Sequence, residues 1–569
     1  MASVNLSLPE TKDMVLGLLV VGFHHQQGPI IEYIYPPLDD PTCRLSPYIH
    51  TKRLPRKSTD SHASGSPEYT DTFELIESWS SLPFYALPEG AHKHDEDICY
   101  FHLPTLASAE EGAPAVAARP SAAPTAVFGI SSYRQINSND LVVRTSDITR
   151  TFVQKAVVLI LAKPVFAYVQ DQIADISHLY FGQRDFTRTD ILQTFYRQIV
   201  HHLAPPIPRE YYTSKTTLGF LTTCFKHHAL TLVKLVLAGA KLLFVDDKAE
   251  HLCRFQYSLL SIFPYALTAL PWRLFAARDL PVGGRTVAAG GRLIDHIEFF
   301  DRHSLLEPYF SMVELKQVES PDLVSCLAGT SNEWVAKNAS KNFDVLVDLR
   351  AGRLDYVNEA MAEVGALTAA DRRFMGRLAK QREAGGPPRP SRKSRASFDE
   401  YVADDYREDQ LRALFQDYVE RFLTTYQWSR AQRSAISLPE ALRGDFGAAF
   451  VDAWDHTLTR RVWAQAVPAE WRPSARFLGH PGAGAGVLED TRFLLAQQLG
   501  ESDLASGLPM SPVREGLRSM LSAGGSAWGQ RKSRAFSHVQ GFFASASSYF
   551  QGGREVPSRG DRGKPRPLS

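Results

Sequence analysis

The chain opens with two apolar runs separated by a short polar turn. Residues 15–23 form a continuous apolar run, which is typical of a strand covered on both faces. A β-branched and aromatic run at residues 30–35 follows and ends at Pro36. The pattern predicts a β-hairpin over residues 14–35. Further strands are predicted at residues 98–103 and 126–131.

Apolar residues with helical spacing appear in the middle of the chain. Residues 151–162 and 189–203 are predicted to be helices. Residues 227–245 predict a helix followed by a buried strand, and residues 252–263 predict an amphipathic helix that Pro264 closes. Alternation of helices and strands of this kind indicates an α/β sheet.

The later half of the chain is richer in helical patterns. Thr368 and Asp371 have the spacing of a capping box that opens a helix. The clearest helical pattern runs from residue 404 to residue 428, where apolar side chains recur every three or four positions. We interpret this stripe as core, with a groove for a partner as the alternative. Its members are Leu411, Leu414, Phe415, Tyr418, Val419, Phe422, Leu423 and Tyr426.

Composition and charge narrow the function classes. The 569 residues include 63 Lys and Arg against 62 Asp and Glu, a net charge of +1, which argues against a nucleic-acid-binding protein. The five cysteines form no C-x-x-C pair, so neither a disulfide framework nor a zinc knuckle is indicated. The apolar run at residues 14–23 is too short to span a bilayer. We therefore expect a cytoplasmic protein.

Motifs of small-molecule enzymes are missing from the sequence. It contains no G-x-x-x-x-G-K-[ST], no H-E-x-x-H and no G-x-S-x-G, and we predict no catalytic residue, no cofactor and no bound metal. The densest group of ligand-type side chains suggests zinc as one interpretation, but a solvated loop that leads into the strand at Ile98 is favoured. That group comprises His92, His94, Asp95, Glu96, Asp97 and His102.

Several blocks, taken in order, resemble a known family. The first blocks are VVGFHH at residues 20–25, LPFYALPEGAH at 82–92 and VFGISSYRQI at 127–136. They resemble the upstream DENN module and, more narrowly, the late-secretory-pathway Avl-nine family. Similar blocks follow at residues 329–332, 344–348 and 445–463. The resemblance covers roughly residues 14–470.

This resemblance implies a mixed α/β (α+β) architecture. The implied parts are a longin-like upstream lobe at residues 14–150 with flexible insertions at 51–72 and 105–126, an α/β central DENN lobe at 151–350, a downstream helical region at 351–475 with a basic linker at 384–399, and a Gly/Ser-rich, largely disordered tail at 476–569.

The resemblance also implies a function and a partner. DENN proteins act on Rab-family GTPases, many as guanine-nucleotide exchange factors, so the chain is expected to regulate late secretory (post-Golgi or endosomal) vesicle traffic by promoting GDP release. A non-catalytic scaffold that binds traffic GTPases or coat components is the alternative. Exchange works through surface complementarity, without covalent chemistry. In the DENN mode the contact surface lies across the first two lobes, and no short motif marks it.

The tail offers a candidate membrane contact. If residues 531–552 form a helix, their bulky side chains fall near one face and Ser, Ala and Gly fill the other, as in interfacial helices; a tail with scattered Phe is the alternative. The anchors are Phe536, Val539, Phe543 and Phe550. We expect peripheral association with Golgi-derived or endosomal vesicle membranes.

The string Arg-Lys-Ser-Arg-Ala occurs at residues 392–396 and again at 531–535. Serines beside these basic residues are predicted phosphorylation sites, and a phosphate in the second copy would weaken attraction to anionic lipid. Two solubilising basic linkers are the alternative interpretation. The predicted sites are Ser394, Ser397, Ser533 and Ser537.

Overall fold

The structure, a computed structural model, describes most of the chain up to residue 483. The described residues are 13–55, 69–106, 124–144, 150–275, 287–288, 291–300, 303–384, 405–431, 438–468, 471, 473 and 477–483. They belong to one compact unit, Met1–Gln497.

The fold is mixed α/β, as the sequence predicted. Its strands are β1 Val15–His24, β2 Gly28–Tyr35, β3 Ile49–Pro55, β4 Tyr69–Leu75, β5 Glu96–Pro104, β6 Ala126–Asn137, β7 Phe152–Leu161, β8 Lys241–Val245, β9 Ser304–Glu307, β10 Ser325–Thr330, β11 Val345–Asp348 and β12 Arg353–Tyr356. Its helices are α1 Leu82–Ala86, α2 Phe166–Gly182, α3 Asp190–His202, α4 Glu210–Thr213, α5 Leu218–Cys224, α6 His228–Leu237, α7 Ala249–Leu260, α8 Pro264–Arg273, α9 Leu315–Val318, α10 Glu333–Ala339, α11 Ala360–Val364, α12 Ala369–Ala384, α13 Asp405–Ala431, α14 Leu438–Phe446, α15 Ala448–His456 and α16 Leu458–Ala466.

The first sheet has the order β2-β1-β7-β6-β5, and each strand is antiparallel to its neighbours. The predicted hairpin is confirmed as β1 and β2. The helix predicted at residues 151–162 is wrong, because this apolar run is β7, which pairs with β1 on one side and β6 on the other. A central strand buried on both faces has an unbroken apolar sequence that periodicity does not distinguish from a buried helix. β7 lies beyond the predicted lobe boundary at residue 150, and the boundaries themselves stay predictions.

The two ends of the flexible insertion predicted at residues 51–72 are strands. They belong to β3 and β4, which pair as an antiparallel two-stranded sheet. Residues 56–68 between them, and residues 107–123 of the second predicted insertion, lie outside the described part of the chain.

The second sheet has the order β12-β11-β8-β10-β9, in which all neighbours are parallel except β11 and β12. The predicted helix and buried strand of residues 227–245 are confirmed as α6 and β8. The helix predicted at 252–263 is confirmed as α7, which ends at Leu260. Pro264, predicted to close this helix, is the first residue of the next helix, α8. Proline is well suited to a first helical turn, where its missing N–H costs no hydrogen bond.

Helix α13 is buried on two sides. Its predicted apolar stripe is core, with Phe415, Tyr418 and Phe422 fully enclosed. A polar stripe at every fourth residue is buried as well. Its Glu408 accepts the backbone N–H groups of Leu218 and Gly219 at the start of α5, at 2.7 and 2.9 Å. The further members of the polar stripe are Arg412, Gln416 and Glu420.

A buried ionic cluster joins α6 to the helical region. The predicted capping box is confirmed, since Thr368 Oγ1 accepts the Asp371 N–H and an Asp371 carboxylate oxygen accepts the Thr368 N–H. The Asp371 carboxylate also pairs with Lys234 and His480, and both members of each pair have side chains without solvent exposure. His480 lies in the first residues of the predicted tail. Residues 477–483 therefore pack into the core.

Candidate functional site at the junction of the two sheets

The parallel strands of the second sheet bring several loops to one edge. β9, β10, β8 and β11 run in the same direction, so the residues that follow their carboxyl ends lie together. In open α/β sheets this edge is where ligands are bound. The loops that matter here are residues 308–314 after β9 and residues 331–332 after β10.

We call the first sheet and the helices around it the first lobe, and the second sheet and the helices around it the second lobe. A loop from the first lobe crosses this edge through Glu89. Its N–H donates to the Tyr309 hydroxyl at 2.6 Å, and its carbonyl accepts the Ser331 hydroxyl at 2.8 Å. Its carboxylate accepts the Met312 N–H at 3.2 Å and the Asn332 side-chain amide at 2.7 Å. One residue of the first lobe is thus bonded to both loops of the second sheet, which holds the junction in one geometry.

Local structure explains how the sequence positions these groups. Gly90, directly after Glu89, has a φ of +83°, a left-handed conformation that glycine adopts without steric cost. On the other side, the Asn332 side-chain oxygen accepts the N–H groups of Trp334 and Val335 and so caps α10. The same amide that fixes the start of α10 therefore also contacts Glu89.

Exposed apolar side chains lie on the segments that Glu89 joins and on α1, which precedes it in the chain. Trp334 at the start of α10 is 53% exposed, and Met312 and Val313 in the loop after β9 are about half exposed. Phe84 in α1 is also exposed. Aromatic residues and methionine are enriched at protein-binding surfaces, and grouped exposed apolar residues mark such sites. We name Phe84, Met312, Val313 and Trp334, with Glu89 between them, the junction surface.

Buried acids lie beneath the junction surface. Glu307, at the end of β9, is buried, and burial together with the nearby Glu314 carboxylate raises its pKa well above the ordinary value. Burial raises the pKa of Asp97 to about 6, although its carboxylate accepts the N–H groups of Ala249 and Glu250 at the start of α7. Both acids connect the two lobes. Asp97 at the start of β5 bonds to α7, and the Tyr85 hydroxyl of α1 lies 3.5 Å from the Glu307 carboxylate.

The predicted group of ligand-type side chains does not converge on one point. Glu96 forms an exposed ion pair with Arg134. His102 is buried, and its Nδ1–H donates to the Leu306 carbonyl at 2.9 Å while its Nε2 accepts the Tyr257 hydroxyl at 2.7 Å. Burial lowers the pKa of His102 to about 4. His102 therefore acts as a neutral structural link. His92, Asp95 and Glu96 are exposed, as the favoured interpretation of a solvated loop predicts, whereas Asp97 is buried in β5.

A different group brings three ligand-type atoms together within the described residues. Asp246, Asp247 and His251 place theirs within 4.8 Å of one another. His251 Nδ1 lies 2.8 Å from Asp246, and the Lys248 N–H donates to the same carboxylate at 3.1 Å. We assign the group to an ion-pair network at the edge of the sheet. The signal in the sequence was an Asp pair directly after a buried strand.

The predicted tail anchors and phosphorylation sites lie outside the described residues. Ser394 and Ser397 fall in residues 385–400, and the remaining predicted positions fall in residues 484–569. These remaining positions are Ser533, Phe536, Ser537, Val539, Phe543 and Phe550. Among the described helices, none combines the length and apolar character needed to cross a membrane.

The two lobes and their shared, exposed apolar edge are typical of a protein that binds another macromolecule. Comparison with known proteins narrows this class. The profile of the family described as "Transport protein Avl9" matches residues 15–272 and 296–426. These ranges comprise more than half of the chain, and the chain belongs to this family.

Two curated proteins illustrate the similarity. The "Late secretory pathway protein avl9" of Schizosaccharomyces pombe is 28% identical over 469 residues, which cover 79% of this chain and 86% of that protein. The "Late secretory pathway protein AVL9" of Saccharomyces cerevisiae is 25% identical over 380 residues, or 64% of this chain and 46% of that protein.

Proposed function

We propose that the chain regulates vesicle-mediated traffic late in the secretory pathway by binding a Rab-type GTPase across the junction surface and promoting release of GDP. Membership of the Avl9 family and the names of the yeast relatives support the pathway. The DENN resemblance supports the partner.

One observation carries the proposed site. Glu89 belongs to the first lobe, and its hydrogen bonds fix the two loops that carry Met312 and Trp334. Residues 82–92 and 329–332, two of the blocks that resemble the family, meet in space at these bonds. A surface held rigid by both lobes pays little ordering entropy on binding and stabilises one conformation of a mobile partner. Stabilising the nucleotide-free conformation of a GTPase is what exchange requires.

The test is a nucleotide-release assay with the full chain against a panel of Rab GTPases. We expect one or a few of them to lose labelled GDP faster in its presence. Trp334→Ala should slow that release about tenfold or more, because aromatic residues dominate binding energy at interfaces. The matched control is Tyr406→Ala, which removes an even more exposed ring from α13 and should leave release unchanged.

The non-catalytic scaffold is the second reading of the same surface. It predicts that a GTPase or coat component binds with the same dependence on Trp334 and without faster GDP release. Binding that is insensitive to Trp334→Ala, Met312→Asp and Val313→Asp would contradict both readings.

We also propose that the protein associates peripherally with Golgi-derived or endosomal vesicles through its tail. Flotation with liposomes, using chains with and without residues 529–569, tests the contribution of Phe536, Val539, Phe543 and Phe550; equal flotation by the two chains refutes it.

Phosphopeptide mapping tests the regulatory serines at positions 394, 397, 533 and 537, and finding them always unmodified removes that proposal.

A further inference from the structure

One end of the first sheet gathers four separate segments. They are the turn between β1 and β2, residues 138–144 after β6, residues 150–152 before β7, and residues 183–188 after α2. The Ser138 N–H donates to the Thr151 carbonyl at 2.7 Å, and the Val142 N–H donates to the Arg184 carbonyl at 2.9 Å. These bonds join the last three of the four segments to one another.

Large apolar side chains on this end face solvent. Val142 is 76% exposed, Leu179 in the last turn of α2 is 60% exposed, Phe152 is 49% exposed and Val143 is 40% exposed. A typical soluble surface has such residues singly, whereas here they come from neighbouring segments. We name these four residues the turn-end surface.

Exposed arginines lie around the turn-end surface. They include Arg150, Arg184 and Arg188, and the Arg150 guanidinium lies 4.4 Å from the centroid of the Phe23 ring. Glu32, which lines the same groove as Arg150 and Phe152, is paired with Lys155, and Asp185 accepts hydrogen bonds from the Thr187 N–H and hydroxyl. Asp140 and Asp175 are further acids at this end. Arg144 is a further cation at this end.

We propose that the turn-end surface is a contact site for anionic lipid on a membrane. Apolar side chains on short, exposed turns insert at the boundary between headgroups and acyl chains, and arginines beside them are attracted to acidic headgroups. The four apolar residues come from the segment after β6, the start of β7 and the last turn of α2, and exposed arginines lie on the same or adjoining segments, a combination that fits an anionic lipid surface. The site differs from the predicted tail helix and from the junction surface.

The test is flotation of the full chain with vesicles of phosphatidylcholine alone and of phosphatidylcholine with phosphatidylserine. We expect binding to require phosphatidylserine and to weaken with added salt, since exposed charges are screened. The charge variant Arg150→Gln with Arg184→Gln should bind about thirtyfold more weakly, from ~1 kcal/mol per arginine near an anionic surface. The apolar variant Val142→Asp with Leu179→Asp should bind at least about tenfold more weakly.

A matched control separates this site from general surface effects. Val200→Asp with Val357→Asp also replaces two exposed valines, and it should bind vesicles like the wild type. Val200 lies in α3 near Tyr35, at the opposite end of the first sheet, since Arg197 in the same helix bonds the Tyr35 hydroxyl. Unchanged thermal unfolding of all variants establishes that they are folded.

Three results would overturn the proposal. Equal vesicle binding by the apolar variant and the control refutes the site. Loss of vesicle binding only when residues 529–569 are removed assigns the membrane contact to the tail alone. Unchanged vesicle binding together with weaker GTPase binding by the apolar variant assigns the turn-end surface to a protein interface.

Discussion

Asp371 and Glu307 are both withdrawn from water, yet their surroundings shift their pKa values in opposite directions. Burial raises the pKa of Asp371, but the hydrogen bond from His480 and the charge of Lys234 outweigh it and hold the pKa below its ordinary value. Glu307 has no cation among the causes of its shift, and burial beside Glu314 raises its pKa. These surroundings therefore favour the ionised form of Asp371 and the protonated form of Glu307.

This contrast separates two ways of joining parts of a protein. The Asp371 cluster joins α6, α12, α13 and residues 477–483 through fully paired groups, with Lys234 also donating to the Phe446 carbonyl at 2.7 Å. The junction of the two sheets is held by hydrogen bonds between Glu89 and the two loops of the second sheet, and it leaves apolar side chains exposed. A closed ionic cluster fixes structure, and an open junction leaves surface for a partner.

Breaking the Asp371 cluster should have the largest effect. Asp371→Asn leaves the Lys234 ammonium buried without its counter-charge, and removal of one member of a buried pair costs about 3–5 kcal/mol. We expect a loss of this size in the free energy of unfolding, measured by chemical denaturation. The double variant Lys234→Met with Asp371→Asn removes the uncompensated charge and should regain most of the loss. A double variant no more stable than Asp371→Asn would contradict the assigned pairing.

Gly482→Ala should displace the segment that carries His480. A Cβ at this position would lie 1.9 Å from the Ala370 carbonyl oxygen, and overpacking of this kind costs about 1–3 kcal/mol. Thermal unfolding and proteolysis near residue 480 would report the change. Gly376→Ala is the matched control. A Cβ at this exposed position of α12 would have no atom within 4 Å, and the substitution should stabilise the protein slightly, because alanine favours a helix more than glycine does.

Acidification should weaken the Asp371 cluster through His480. Its Nδ1 accepts the Gly482 N–H at 2.7 Å, and burial lowers its pKa although Asp371 favours the charged form. As the pH falls, this histidine therefore takes up a proton in the unfolded chain before it does so in the folded chain. The free energy of unfolding falls as the pH drops below about 6.5, by up to ~1.4 kcal/mol per pH unit. In the His480→Gln variant, the free energy of unfolding measured from pH 8 to pH 5 should no longer contain this contribution to the slope.

Glu307→Gln should have the smallest effect when it is measured at acidic pH. Below the unfolded pKa of about 4.3 a neutral amide replaces an acid that is neutral in both states, so we expect less than about 1 kcal/mol of change there, against the large loss for Asp371→Asn. Because the folded pKa of Glu307 is raised, the wild type loses stability as the pH rises above the unfolded value of about 4.3. Glu307→Gln should remove that decline in unfolding titrations. A loss equal to that of Asp371→Asn would show that Glu307 is ionised.

Much of the fold could be predicted because its signals are local. The hairpin of β1 and β2, the α6–β8 unit and the apolar stripe of α13 follow from periodicity and turn residues within a few tens of positions. β7 was mistaken for a helix because an unbroken apolar run fits both a buried helix and a central strand. Only pairing with β1 and β6 on both sides decided the matter.

The amino-acid sequence by itself determined the fold class, the family and the absence of common catalytic motifs. Tertiary structure decided which polar groups are buried and which apolar groups stay exposed. Glu408 and Glu420 look like ordinary solvent-facing helix residues until their backbone partners are known, and Glu89 meets Asn332 across 243 positions of sequence. Such contacts depend on how distant elements pack, and burial changes both the charge and the role of a side chain.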